Sequence, residues 1–135
     1  MEREKDPIKV AGSYLNSFAQ GDPDLIASHV ADEFENIHTS ALGEPCTGRS
    51  TYRGLLVNFL KKFEGISYEM QDAVSQGEKV FASYIMTAKV DSNPIEINGV
   101  FNFLISDGLI KRRIDYFDSL TFLKQIGHPV GMEDN

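Results

Sequence analysis

The feature that most constrains the fold is a change in hydrophobic periodicity near residue 66. Before it, apolar residues recur mainly with the period of a helix, most regularly from Tyr52 to Phe63, where they follow the i, i+3, i+4, i+7 order. From Ile66 onward, apolar and polar residues mostly alternate, which is typical of strands. The sequence therefore predicts a mainly helical first half and a sheet in the second half.

Start and stop signals divide the helical half into separate elements. Asp6 followed by Pro7 is a typical helix start, and Gly21 is a typical helix end. Asp22 and Pro23 repeat the start signal at once, which predicts a second, short helix. The chain is therefore expected to open with two helices that meet at the glycine.

Turn signals rich in Gly, Asp, Asn and Pro divide the second half into long strands. The strand from Lys79 to Val90 is apolar on both faces, which predicts a central strand that is covered on both sides. The other predicted elements are a short strand at Phe34–Thr39, a loop at 40–48, strands at Ile66–Val74, Ile95–Ile105 and from Leu109, and a last short helix containing Leu120, Leu123 and Ile126.

This order of elements predicts an α+β fold, with three N-terminal helices packed on a curved, mixed, mostly antiparallel sheet. Such an α+β barrel is cone-shaped, and the space between its helices and its sheet is a natural site for a small molecule. The length of 135 residues, without a linker or a repeat, fits one domain over 1–135. We expect an ordered core over 8–127 and frayed ends over 1–6 and 129–135.

Charge and cysteine content exclude several classes of function. With 20 acidic and 13 basic residues, the formal net charge is -7, which argues against a nucleic-acid partner. The single cysteine, Cys46, permits no internal disulfide, and no signal peptide or membrane-spanning run is recognisable, so a cytoplasmic protein is predicted. The three histidines lack metal-ligand spacing and no phosphate-binding loop is present, so neither a metal nor a cofactor is expected.

The segment LIKRRIDYFDSL at 109–120 places an acid, Asp115, among apolar neighbours. Strand alternation puts Lys111, Arg113 and Phe117 on the same face as this acid. If that face is interior, the carboxyl group lies in mostly apolar space, where its pKa rises and it can move a proton near neutral pH. The alternative is a structural ion pair with Arg113, which would hold the acid ionised. Arg113 is also a candidate for binding an anionic substrate.

Other polar and aromatic residues are candidates for the same site. His38 is a plausible second acid/base group or hydrogen-bond donor, because its ordinary pKa is close to neutral. Tyr14 lies in a helical apolar stripe, so it is either a core residue or a ligand contact. Tyr84 and Asn102 lie on strands whose alternation can direct them inward, and with Phe117 they are predicted to line a binding site.

Four short motifs follow one another in a known order. They are Gln20-Gly21-Asp22 between the first helices, Ala31-Asp32-Glu33-Phe34 at the entry to the early strand, Gly48-Arg49 at the entry to the third helix and Asp115-Tyr116-Phe117-Asp118 at the end of the last strand. Over residues 8–127 this arrangement resembles the superfamily of nuclear transport factor two, and within it the SnoaL-like polyketide cyclases. That superfamily contains cyclases, isomerases, hydrolases, dehydratases and binding modules, so the resemblance implies a fold rather than one function.

The resemblance assigns roles to single residues. Asp115 matches the acid/base aspartate of the SnoaL-like cyclases. Tyr14 falls where ketosteroid isomerase has its oxyanion-hole tyrosine, although His38 stands in place of that enzyme's base. The epoxide hydrolases of the superfamily have an Arg-x-Asp pair where this chain has Tyr84 and Met86, which argues against epoxide hydrolysis.

The first functional hypothesis is a SnoaL-like, cofactor-free acid/base enzyme, a cyclase or isomerase acting on a small apolar carbonyl compound. Asp115 would move a proton next to the carbonyl group, and His38 or Tyr14 would donate a hydrogen bond to the enolate oxygen. Neither a metal nor a nucleotide is needed for this chemistry.

The second hypothesis is a non-catalytic module that binds a small ligand or a protein partner. The outer face of the predicted sheet carries Phe81, Ile114 and Tyr116. An exposed apolar sheet face of this kind commonly pairs with a second copy, so a homodimer through this face is expected.

Overall fold

A computed structural model of the protein describes residues 3–39 and 45–127. Residues 40–44 of the predicted loop and the predicted frayed ends at 1–2 and 129–135 lie outside this range. Within it, the elements are α1 (Pro7–Ser17) with a 3-10 turn (Phe18–Gln20), α2 (Pro23–Ala27), β1 (Val30–His38), β2 (Cys46–Thr47), α3 (Arg49–Lys62), β3 (Glu64–Gln76), β4 (Lys79–Val90), β5 (Asn93–Ser106), β6 (Leu109–Phe117) and α4 (Ser119–Gln125).

The helices begin and end where the signals predict, although the side chain of Asp6 makes no cap hydrogen bond at the start of α1. Gly21 ends the first helical segment in the left-handed region, with a φ of 68°. Asp22 then caps α2, because its side chain accepts a hydrogen bond from the backbone N–H of Asp24. Asp118 caps α4 in the same way through the N–H of Thr121. Gly21 and Asp22 thus separate the first helical segment from α2, and Asp118 marks the change from β6 to α4.

The six strands form one sheet in the order β2-β1-β6-β5-β4-β3. All neighbouring strands are antiparallel except β1 and β6, which are parallel. The protein therefore has an α+β fold with a mixed sheet. The parallel pair is important for the site, because it places Asn36 beside Arg113 and His38 beside Asp115.

The sheet buries one face against the helices. Along β4, Val80, Ala82 and Tyr84 are buried, whereas Phe81 between them is 43% exposed. The prediction that this strand is covered on both faces is therefore wrong, because the side chains on the face that carries Phe81 are partly or fully exposed. The core is correspondingly one cluster of apolar and aromatic side chains on that inner face.

A register shift in β6 changes which residues of this strand point inward. Arg112 is opposite Leu104, but Ile110 is opposite Ile105, so β6 has one extra residue, Lys111, at this point. Ile110 is consequently buried, as Arg113 is, whereas the Lys111 ammonium group lies 3.4 Å from Oε1 of the exposed Glu33. The prediction that Lys111 shares the face of Asp115 is wrong for this reason.

Candidate functional site

Asp115 lies on the inner face of β6 and is 7% exposed. Its Oδ1 accepts a hydrogen bond of 2.7 Å from the hydroxyl group of Tyr84. Burial raises the pKa of Asp115 above its ordinary value, while the Arg113 guanidinium and the Tyr84 hydrogen bond both oppose this rise. The result is a carboxyl group that holds its proton more tightly than an exposed aspartate does.

His38 is the side chain opposite the second oxygen of this carboxyl group. Its Nδ1 lies 3.7 Å from Asp115 Oδ2, which is too long for a hydrogen bond. Within the described part of the chain, this buried nitrogen has no hydrogen-bond partner. Burial, helped by the charge of Arg113, lowers the pKa of His38 to about 4. The imidazole is therefore neutral at neutral pH, and its contact with Asp115 is not an ion pair.

Arg113 is held by neutral partners and aromatic rings. Its Nε donates to Asn36 Oδ1 at 3.1 Å, and its Nη1 donates to the hydroxyl oxygen of Tyr14 at 2.6 Å. The Tyr14 hydroxyl is also hydrogen-bonded to that of Tyr52. The guanidinium carbon lies 4.8 Å from the centre of the Phe101 ring and 5.9 Å from the ring centres of both tyrosines. Such weakly hydrated, planar cations pack well among rings.

The two buried ionisable side chains of β6, Arg113 and Asp115, do not form an ion pair with each other. Among residues 3–39 and 45–127, no nitrogen of Arg113 lies within 4.0 Å of a carboxylate oxygen. The alternative of a structural Asp115–Arg113 bridge is therefore not realised in this arrangement. The arginine lowers the pKa of Asp115 only through its longer-range field.

A model of the SnoaL-like domain matches residues 11–113 of this chain. The chain belongs to the SnoaL-like domain family. No curated protein sequence gives a significant match to it.

Solved structures that resemble this SnoaL-like protein are distant in sequence. A Catenulispora acidiphila protein with a ketosteroid isomerase-like fold, in complex with trimethylamine, superimposes with a TM-score of 0.83 at 16% identity, covering 93% of this chain and 97% of that one. IdmH of Streptomyces antibioticus, a candidate polyketide cyclase, superimposes with a TM-score of 0.78 at 18% identity, covering 90% of this chain and 99% of that one. TerC, co-crystallised with polyporic acid, superimposes with a TM-score of 0.78 at 19% identity, covering 89% of this chain and 97% of that one. These likenesses establish a nuclear transport factor two-like fold.

The remaining predicted site residues of the SnoaL-like chain are not all in one place. Tyr14 and Tyr84 are buried on the inner face, the first in the Arg113 network and the second on Asp115. Phe117 is half-buried at the end of β6 and packs against the core. The structure thus brings the acid, the histidine and Tyr84 together and places Tyr14 with the arginine.

Asn102 does not lie on the inner face, so its predicted inward position is wrong. Its neighbours across the sheet are Phe81 on β4 and Ile114 on β6. Paired residues share a face, and Phe81 is on the outer one. Asn102 is buried there among its sheet neighbours, opposite the face that carries Asp115.

A search of the sequence for acids and bases does not find two residues of the buried polar network, Asn36 and Tyr52. Asn36 accepts from Arg113, and Tyr52 binds the Tyr14 hydroxyl. The signal for Asn36 is its alternation with Phe34 and His38 on one strand. Tyr52 has a weaker sequence signal, because its position in a helical apolar stripe predicts only core packing.

Open surface grooves are found away from this site. One of about 750 Å³ lies beside Gln125, and two of about 520 and 600 Å³ share Gly12 and Asn16 of α1 and Met70 of β3. None of these three is lined by Asp115 or by its neighbours. The described residues contain no group of three or more side chains suited to a metal ion, and none of their helices is long and apolar enough to cross a membrane.

Proposed function

We propose that this SnoaL-like protein is a cofactor-free acid/base catalyst of the cyclase or isomerase type. Its substrate is a small apolar carbonyl compound, which binds in a cone-shaped space between helices and sheet. The observation that carries the proposal is the Asp115 carboxyl group, which is buried, hydrogen-bonded by Tyr84 and free of an ion pair with Arg113. A buried acid with so few partners costs stability, and such groups cluster at functional sites.

In the reaction, ionised Asp115 takes a proton from the carbon next to the carbonyl group. The electrons of the broken C–H bond form the carbon–carbon double bond of an enolate, and the carbonyl oxygen gains the negative charge. Isomerisation is completed when Asp115 returns the proton to another carbon of the conjugated system. Cyclisation is completed when the enolate carbon forms a bond with a second carbonyl carbon, whose oxygen then takes up the proton.

His38 is better suited than Tyr14 to stabilise the enolate oxygen. The Tyr14 hydroxyl already contacts Arg113 and Tyr52. The His38 Nδ1 has no partner in the described structure and lies beside the second Asp115 oxygen. In the tautomer with a proton on Nδ1, the neutral imidazole donates to an oxygen bound next to the base.

The fold supports a small-molecule substrate in a more general way. Two of the superimposed structures contain a small molecule, trimethylamine in one and polyporic acid in the other. A third is the candidate cyclase IdmH. We extend to this chain only the use of the fold for small molecules, because identity below 20% does not carry a substrate.

The test is proton exchange in D2O, followed by NMR, for a panel of small apolar ketones and 1,3-dicarbonyl compounds. Asp115→Asn is expected to lower the exchange rate roughly 10²- to 10⁴-fold. Glu35→Gln is the matched control, since it removes one carboxylate from an exposed position of the neighbouring strand β1. The wild-type rate should fall as pH falls through the pKa of Asp115, because the base must be ionised. Equal rates for Asp115→Asn and wild type would reject the acid/base role.

The outer face of the sheet favours a second candidate function, that of a homodimeric binding module. Val74, Phe81 and Tyr116 on this face are 61%, 43% and 44% exposed. We propose that the dimer interface lies on this face. Sedimentation equilibrium at micromolar concentration tests this proposal, and Phe81→Ser is expected to shift the protein to monomer.

A cytoplasmic location, in keeping with the single cysteine, is part of either proposal.

A further inference from the structure

The hydrogen bond from Tyr84 to Asp115 spans an unusual distance in the sheet. Tyr84 is on β4 and Asp115 is on β6, with β5 between them. Neighbouring strands are about 4.8 Å apart, so β4 and β6 are separated by about 10 Å. The hydroxyl oxygen of Tyr84 is nevertheless 2.7 Å from Asp115 Oδ1. The tyrosine ring must therefore lie across the strand between them.

The residue over which the ring passes is Gly99. It is paired with Tyr84 on one side and with Phe117 on the other. A Cβ atom at this position would overlap the Oη and Cζ atoms of Tyr84 and would lie 2.9 Å from the carbonyl oxygen of Tyr116. Gly99 has an ordinary backbone conformation, so the position requires glycine for space. A glycine inside a long strand often marks such a close approach.

The Tyr84 ring has little freedom to avoid an added side chain. Phe101 stacks on it with ring centres 4.5 Å apart and planes at 29°. Tyr68 meets it edge-on, with centres 5.0 Å apart. Both neighbours are buried in the core. A side chain at residue 99 would thus displace the ring as a whole, and the hydroxyl group would leave the carboxylate.

We propose that Gly99 is a positioning residue for Asp115: its missing side chain leaves the space in which the Tyr84 ring reaches the acid. The inference rests on the proposed function only for its catalytic meaning. The Tyr84 hydrogen bond favours the ionised form of Asp115 and so lowers its pKa against the effect of burial. Gly99 thereby influences what fraction of the base is ready to accept a proton.

The experiment is an NMR titration of the ¹³C-labelled Asp115 carboxyl group in the wild type and four variants. Tyr84→Phe removes the hydroxyl group and is expected to raise the pKa of Asp115. Gly99→Ala should raise it by the same amount, and the double variant should raise it no further, since both changes remove one hydrogen bond. Gly54→Ala is the control, because a Cβ atom at this exposed position of α3 meets no other atom within 4 Å.

A wild-type pKa of Asp115 in Gly99→Ala, or additive shifts in the double variant, would overturn the inference. If Gly99→Ala does not fold, Tyr84→Ala is added to clear the overlap. A folded Gly99→Ala/Tyr84→Ala protein then supports the inference. A Tyr84→Ala protein that folds while this double variant does not fold contradicts it, because the role of Gly99 is then assigned to the Tyr116 carbonyl. The titration does not depend on turnover, so it can succeed even if no carbonyl compound is ever a substrate.

Discussion

Arg113 and Asp115 lie two residues apart on the same face of β6, yet their surroundings differ. The guanidinium group has an amide oxygen, a phenol oxygen and three ring faces around it. Among the described residues, the carboxyl group has one hydrogen bond, and an imidazole nitrogen without a partner there lies 3.7 Å away. The cation is thus part of the architecture, whereas the acid is left with capacity for a further partner.

The difference follows from the chemistry of the two groups. A guanidinium ion spreads its charge over a plane, is more weakly hydrated than an ammonium ion and can stack on rings. A carboxylate concentrates its charge on two oxygens and needs several donors to replace water. The same interior therefore stabilises one charge and disfavours the other, and this contrast predicts opposite effects of mutation at the two positions.

The largest effect is expected for Arg113→Met, which should lower the free energy of unfolding by about 3 kcal/mol. The change leaves the Asn36 oxygen and the Tyr14 hydroxyl without their charged donor, and buried groups that lose a partner are costly. Urea denaturation measures the loss. Arg112→Met, on the half-buried opposite face of the same strand, is the control and should change little. Equal losses would show that the arginine network is not structural.

The sequence could place the two charges on one face, but it could not assign their partners. Asn36 and Arg113 are 77 residues apart, and only the parallel pairing of β1 with β6 joins them. The extra residue Lys111 leaves no trace in the hydrophobic pattern, so simple alternation assigns Lys111 to the wrong face of the strand. Asn102 was misplaced for a related reason, because β5 is apolar on both sides of it and alternation gave no preference. Caps and strand turns, which depend on adjacent residues, were predicted well.

A smaller effect is expected for His38, and its pH dependence sharpens the contrast. The pKa of His38 is lowered to about 4, while a histidine in the unfolded chain titrates near 6.5. Between these values the unfolded state binds more protons, so this group contributes stability that is fully present above 6.5 and lost as pH falls toward 4. Allowing for solvent screening, the loss is about 1–2 kcal/mol. His38→Asn should flatten this slope in urea denaturation series, and an unchanged slope would argue against a neutral imidazole.

The smallest effect, of opposite sign to that of Arg113, is expected for Asp115→Asn. Burial raises the pKa of Asp115, so the folded protein favours the protonated form and loses stability as pH rises through that pKa. An asparagine still accepts the Tyr84 hydrogen bond without a buried charge, and it should raise the free energy of unfolding at neutral pH by about 1 kcal/mol. The difference in the free energy of unfolding between this variant and the wild type should shrink as pH falls and Asp115 becomes protonated. A variant that is less stable than wild type at neutral pH would mean that Asp115 is a structural partner of Arg113 after all. A more stable variant would instead identify a position where the fold gives up stability to keep a base.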